Sequence, residues 1–335
     1  MILSEVGADI TIFSAGKKTE STADERQKES TAMARAIGIL EPQGRDFEQF
    51  FRGSVPFFEE LARCGAPLRR DRVVYFYKDA PNQDFVQELQ LLPHLNHKVE
   101  AAEKFGCKSK VSFEGYIMSG SAMRDFYMGV LKERGVEYRE RTIETLAPEP
   151  DHLTFSALGM GRKLVRSDSS VDIPGNYGQM ICIEGTEVAD LLQTFPELKN
   201  IGSVGIPSSA GSVNIVLHYR NPRERLGPYL IIGATKNPGD GKLLLREPDN
   251  AFLMNGVKIL WPALHAHLEK FSTATDTEFS PAKFNPNYYG CVRPGSGASP
   301  FQVVKVNGCI DISGAGGMGN TLAPAASLKA ISLAF

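Results

Sequence analysis

Directly after a short apolar run containing Cys309, Ile310 and Ile312, the chain reads Gly314, Ala315, Gly316, Gly317, Met318, Gly319, and an alanine-rich helical pattern then opens near Asn320 or Thr321. Glycines at these positions let the backbone come close to a ligand that a side chain would hold away. The unpaired amides of the first helical turn then face the same ligand with a favourable dipole. The bare pattern is GxGxxG, the dinucleotide fingerprint. That fingerprint also requires a second parallel strand and an acidic residue about 20 positions further on, and the chain ends at Phe335 before either could occur. A tight turn from strand to helix is the other reading of the same residues.

Other groupings of reactive residues fail on spacing. His94 with His97 and His265 with His267 look like metal pairs, but His265 and His267 lie two apart in a helical segment and would diverge. Gly241 and Lys242 lack both the first glycine and the Ser or Thr of a phosphate loop, since Lys236 and Leu243 stand there. The five cysteines, Cys64, Cys107, Cys182, Cys291 and Cys309, are scattered without a CxxC pair, so neither a disulfide framework nor a zinc site is expected. No metal is expected, and the cysteine usage fits a reducing, cytoplasmic compartment.

The rest of the chain must position that loop. At 335 residues and 42% hydrophobic it can bury two ordinary cores. A net charge of -2 gives no electrostatic case for nucleic acid, and the basic run Arg69, Arg70, Arg72 reads as a solvated face. No stretch approaches the about 18 apolar residues of a membrane span.

Met1 to Val6 reads as the last turn of a helix closed at Gly7, followed by a strand over Asp9 to Phe13. Glu20 to Lys28 is a polar loop, and Ala32 to Leu40 returns to small and apolar residues. Phe50, Phe51, Phe57, Phe58 and Leu61 have helical spacing and predict a core-facing helix over Phe47 to Leu61. Ser121 to Glu133 is a second helix stopped by Gly135, with a strand over Val136 to Ile143. This helix, glycine, strand unit repeats the opening grammar, so both units are expected in one α/β sheet. Leu153 to Ala157 is a further strand. From Tyr177 to Lys242, the alternation around Met180 and Cys182, Val213 to His218 and Tyr229 to Ile232 predicts antiparallel hairpins. Asn250 to Phe271 is helical with a break at Pro262.

Tyr289 to Pro294 (YGCVRP) and Ile312 to Pro324 (ISGAGGMGNTLAP) together resemble the C-terminal signature of the D-amino-acid oxidase and glycine oxidase family of flavoenzymes. Ala157 to Leu164 (ALGMGRKL) is similar to that family's ATGLGxRxL turn, and Tyr177, Gly178, Gln179 to its RGQ. Gly7 to Phe13 (GADITIF) with Ala36 to Pro42 (AIGILEP) resembles the second strand and the small-residue segment beside the flavin. Departures are Ser14 for an acidic residue, Tyr177 for the arginine of RGQ and Ala315 for a frequent histidine. The family's own GxGxxG would lie upstream of Met1.

The resemblance implies an α/β (α+β overall) fold, with a Rossmann-like FAD-binding domain that is incomplete at its N-terminus and an antiparallel β-rich substrate domain. The first would comprise residues 1–42, 120–175 and 288–335, the second 43–119 and 176–287. It implies FAD as cofactor, with Gly38, Ile143, Gly159, Gly161, Gly316, Gly317, Met318, Gly319 and Thr321 around it. Arg293 would be the catalytic-site arginine, holding the substrate carboxylate through its planar two-pronged fork. Cys291 lies close to where the sarcosine oxidase branch attaches its flavin, although a small buried hydrophobe is the commoner role for a cysteine. Tyr219 and Tyr229 would cover the pocket or pack a core. The implied activity is oxidation of a small amino acid or amine, with hydride passing from the α-carbon to FAD and oxygen reduced to hydrogen peroxide. A flavin-dependent dehydrogenase or tailoring oxidase, and a non-catalytic relative, are the alternatives.

Overall fold

The computed structural model describes residues 8–14, 39–40, 48–104, 106–118, 120–141, 151–157, 175–183, 185–200, 202–208, 211–218, 228–235, 237–239, 247–269, 288–294, 301–306, 308–313 and 319–335. The chain opens with strands β1 (Thr11–Ser14) and β2 (Ile39–Leu40), helix α1 (Glu48–Arg63), strand β3 (Leu68–Tyr77) and helix α2 (Gln83–Gln90). Strands β4 (Lys98–Lys104) and β5 (Cys107–Met118), helix α3 (Gly120–Glu133), and strands β6 (Glu137–Glu140), β7 (Thr154–Ser156) and β8 (Gly175–Ile183) follow. Next come helix α4 (Gly185–Thr194), strands β9 (Ser203–Ser208), β10 (Gly211–His218), β11 (Tyr229–Thr235) and β12 (Asn237–Gly239), and helices α5 (Glu247–Leu260) and α6 (Pro262–Leu268). Strands β13 (Tyr288–Pro294), β14 (Gln302–Val306) and β15 (Cys309–Ser313) lead to helix α7 (Gly319–Ala334).

Two helices hand over to strands through the same backbone device. Gly135, at φ 72°, donates to Lys132 O while Val136 donates to Leu131 O, and Gly65, at φ 78°, donates to Ala62 O while Ala66 donates to Leu61 O. These paired bonds satisfy carbonyls that a helix C-terminus leaves open, and the left-handed φ at their centre is one that glycine adopts without a Cβ clash. The stop expected at Gly135 is therefore real, and β6 starts two residues later. There it pairs in parallel with β1, Thr11 opposite Glu137 and Phe13 opposite Arg139. The strands of the two units thus share a sheet, as their common grammar predicts. The third strand, β7, pairs instead with β15 in a separate three-stranded sheet ordered β14, β15, β7.

The large sheet runs β12, β8, β11, β10, β9, β3, β5, β2, with β13 on β8 and β4 on β5. Its neighbours are antiparallel except β3 and β9, where Val73 to Tyr75 run parallel to Ser203 to Gly205. Both Ile39–Leu40 and Tyr288–Pro294 hydrogen-bond into this sheet. Helices α4, α5 and α6 cover one of its faces. Val188, Leu191, Leu253, Val257 and Leu264 are buried there against Ile181, Ile183, Val213, Ile215 and Leu230. Fully burying each such side chain contributes about 1.5–3 kcal/mol, so this layer is a main source of rigidity for the strands.

A second core gathers α1, α2 and α3 over β3 and β5, with Phe58, Leu61, Leu89, Phe113 and Met123 buried. Of the residues expected to face a core from this helix, Phe58 and Leu61 do so, whereas Phe57 is only half-buried. Arg69 departs from the expected solvated basic face. Its guanidinium lies 2.8 Å from Asp71 and donates to Leu217 O at 2.6 Å, because β3 runs between β5 and β9 and little of it can stay solvated. Arg70 pairs with Glu114 at 2.6 Å.

Two tyrosines of this core carry a pH prediction. Burial pushes the Tyr127 phenol up to about 12, and burial with a smaller contribution from Glu59, to which Tyr116 Oη donates at 3.2 Å, pushes Tyr116 to about 12. Unfolded tyrosine ionises near about 10. Between those values the unfolded chain sheds protons that the folded chain keeps, so stability is intact below pH 10 and falls as pH rises toward 12. In a tyrosinate absorbance titration two phenols are expected to ionise late, and Tyr127→Phe should weaken the alkaline loss of stability. An unchanged alkaline unfolding curve in that variant would contradict the assignment.

Helix α7 packs on the small sheet through Leu322, Ala326 and Ala330, one stripe at four-residue spacing, against Val303 and Ile310. It also crosses α1 closely. Ala325 N donates to Ser54 Oγ at 3.2 Å, and a Cβ added at Gly53 would lie 3.1 Å from that of Ala325. Both helices contain an internal proline, Pro56 and Pro324.

Candidate functional site

The strand and the helix of the unit singled out in the sequence are present as β15 and α7, and the glycine loop between them lies outside the described residues. The helix is 16 residues long and starts at Gly319, one or two residues before the sequence pattern placed it. Gly319 and Thr321 lie in its first turn, where helix geometry leaves backbone amides without intrahelical partners. Strands β7 and β15 run parallel, Asp311 opposite Ser156, and point their carboxyl ends the same way. In open α/β sheets that end is where ligands bind. It is polar although buried: Asp311 is 1% exposed, Ser156 2% and Ser313 5%.

Arg293 lies on β13, opposite Asn176 of β8. Its strand belongs to the large sheet, whereas α7 packs on the small one, so the two parts of the proposed site stand on different layers. Gly38, Ile143, Gly159, Gly161, Gly316, Gly317 and Met318 lie outside the described residues, as do Tyr219 and the expected helix end before Gly7. Cys291 lies two residues before Arg293 on β13, opposite Gly178. Among the described residues no group of three or more His, Cys, Asp or Glu side chains could hold a metal ion, and Cys64, Cys107, Cys182 and Cys309 are free thiols. No described helix is long and apolar enough to cross a membrane.

The large sheet buries Tyr229 in a core, one of the two roles expected for it, beside His218, which the motifs did not single out. A further buried cluster of that sheet comprises Met180, Cys182, Tyr229, Ile231 and Ala234, all from strands. Tyr229 stacks on His218, ring centroids 4.6 Å apart and planes 13° from parallel. The alternation of β10 was the available signal: Val213, Ile215 and Leu217 face the helices, which leaves Asn214, Val216 and His218 for the other side. Elsewhere, an open groove of about 480 Å³ is lined by Arg70, Arg72, Lys98 and Glu114 among others. It is built from β3, β4 and β5 with Asn96, and contains none of the residues expected at the site.

This arrangement matches solved structures. Iminodiacetate oxidase from Chelativorans sp. BNC1 superposes with a TM-score of 0.67 at 14% identity, over 99% of this chain and 90% of that one. The chain shares the fold of that enzyme. L-Proline dehydrogenase from P. horikoshii gives a TM-score of 0.62 at 11% identity, over 97% and 92% of the two chains. L-α-Glycerophosphate oxidase from Mycoplasma pneumoniae, solved dithionite-reduced with FAD bound, gives 0.59 at 12% identity, over 97% and 94%. The expected α+β architecture, a Rossmann-like part with an antiparallel β-rich part, is the one found. No protein-family model matches the sequence, and no curated protein matches it.

Proposed function

We propose that this protein is an FAD-dependent oxidoreductase that oxidises a small amino acid or amine, with oxygen as the acceptor. The observation that carries this reading is helix α7 opening at Gly319, six residues after β15 ends, within a fold shared with an iminodiacetate oxidase and a proline dehydrogenase. The donor set fits the cofactor: the amides of Gly319 and Thr321, neutral and aimed along the helix axis, suit an electron-rich ring edge. When bound, FAD supplies the two-electron acceptor for a hydride from the substrate α-carbon.

The chain's own residues then have three tasks. The first turn of α7 stabilises negative charge that develops at the ring edge on reduction. Arg293 fixes the substrate carboxylate by two parallel hydrogen bonds, which orients the α-carbon. The buried face of the large sheet excludes water from the reacting atoms. Gly38, Ile143, Gly159, Gly161, Gly316, Gly317 and Met318 complete the cofactor site in this reading, within a first domain of residues 1–42, 120–175 and 288–335 and a second of 43–119 and 176–287.

The test is the visible spectrum of the purified chain after loading with FAD and removal of excess, followed by a peroxide assay against D- and L-amino acids, glycine and sarcosine. Retained bands at about 370 and 450 nm, with peroxide from at least one substrate, are expected. A colourless chain would refute the cofactor assignment. Flavin reduction without peroxide would move the reading to a dehydrogenase.

A further inference from the structure

The structure assigns a phosphate-binding subsite to the open groove over β3, β4 and β5, which contains none of the residues given to the flavin; its ligand is a small phosphate monoester or the free phosphate ion. Strand register assembles it. Arg72 of β3 stands opposite Glu114 of β5, and two residues before Glu114, on the same side of the pleat, Ser112 stands opposite Lys98 of β4. Ser112 is thus the direct neighbour of Lys98 and the diagonal neighbour of Arg72, and long side chains reach across both separations. Val74, two residues after Arg72, packs on the core under α4, α5 and α6. The groove is therefore where that helix-covered face of the sheet runs out into solvent. Its volume of about 480 Å³ lies within the range of about 300–1,000 Å³ usual for ligand pockets.

The anions of the groove are already engaged. Glu114 faces Arg72 across the strands, yet its carboxylate pairs with Arg70 at 2.6 Å, and Arg70 also donates to His94 O. Asp71 pairs with Arg69 at 2.8 Å and accepts from the backbone of Arg72 at 2.7 Å. Arg72 and Lys98 are exposed, and among the described residues no ion pair or hydrogen bond occupies either side chain. Ser112 differs from them in being 3% exposed. It lines the groove, and its hydroxyl makes no hydrogen bond among the described residues. A buried hydroxyl left unmatched by the protein is uncommon, and a polar group seated in the groove would match it.

The free groups set the ligand's chemistry. A two-pronged guanidinium, an ammonium and a hydroxyl all donate, and two unpaired cations suit a dianion. The donors come from three different strands, which suits a tetrahedral oxyanion better than a flat carboxylate. A phosphate monoester carries about −1.5 to −2 charge at neutral pH and three acceptor oxygens. Asn96, in the left-handed region at φ 51°, adds a carboxamide to the lining.

Calorimetric titration of the purified chain at constant ionic strength with glycerol 2-phosphate, inorganic phosphate and malonate tests the subsite. Both phosphates are expected to saturate one site and to bind about 10-fold tighter than malonate, a dianion with flat ends. Arg72→Gln and Lys98→Gln should each weaken phosphate about 10-fold or more, and Ser112→Ala about 3- to 10-fold. Lys305→Gln, which removes the same charge from β14, should change nothing. Glycerol 2-phosphate binding tighter than inorganic phosphate supports an ester as the ligand, and equal affinities support the free ion. The subsite is overturned by no saturable heat with either phosphate, by malonate binding as tightly, or by phosphate affinity that survives Arg72→Gln. Phosphate held elsewhere, such as at the flavin site, would be untouched by that variant. The subsite stands apart from the flavin reading: a colourless chain that binds phosphate through Arg72 keeps it, and a flavin-loaded chain that binds no phosphate loses it.

Discussion

Arg293→Leu is expected to lower kcat/KM for the amino-acid substrate by about 100- to 1,000-fold, the scale for removing one partner of a desolvated charged hydrogen-bond pair. Flavin content and Tm should hardly move, since Arg293 stands on β13, which is joined to the sheet through β8. Most of the loss should appear in KM if the arginine only anchors the carboxylate, and in kcat as well if it also sets the α-carbon against the acceptor. Arg293→Lys should fall between, because an ammonium keeps the charge but not the two-pronged geometry. Steady-state kinetics of flavin-loaded variants check this. Wild-type kcat/KM in the leucine variant would remove Arg293 from the site.

A second large effect concerns stability. Gly256 on α5 packs against Val213 of β10 so closely that a Cβ would come within 2.5 to 2.6 Å of three side-chain carbons. Two forces oppose each other there. Replacing an interior helical glycine by alanine gains about 1 kcal/mol of propensity, whereas overpacking a core costs about 1–3 kcal/mol. The contact is to a β-branched side chain with one favoured rotamer and buried on all sides, so packing should win. Gly256→Ala is expected to lose about 1–2 kcal/mol and Gly256→Leu about 3 kcal/mol. Denaturant unfolding of Gly256→Ala, Val213→Ala and the double variant measures it, with the double variant recovering part of the loss. An alanine variant more stable than the parent would show that α5 simply shifts outward.

The same residue shows what a single sequence conceals. Gly256 sits in a stretch that reads as helix from its apolar spacing, and nothing in that stretch says that its glycine faces a strand 43 positions earlier. Arg69 is a parallel case. Local composition makes it part of a solvated basic run, yet β3 lies between β5 and β9, and its guanidinium bonds Leu217 O, 148 residues away. Helix α4 also escaped the sequence reading, because only Val188, Leu191 and Leu192 mark its buried side over ten residues.

Local signals did hold where local physics is sufficient. Gly135 ends a helix because its left-handed φ of 72° is open to glycine. Val213, Ile215 and Leu217 read as a strand because alternate side chains must face one core. Cys309 to Thr321 reads as strand, loop and helix because apolar run, glycines and alanine-rich helix follow one another without interruption.

The sequence by itself therefore determined the kinds of element, several of their ends and the strand-to-helix unit at the C-terminus, since each depends on neighbours a few residues apart. Only the tertiary structure decided that β1 pairs with β6 while β7 joins β15, and that Asn214 stands between Gly205 and Gly233. Strand register is fixed by burying one whole face of a sheet at once. That is a property of many distant residues together, and no window along the chain contains it.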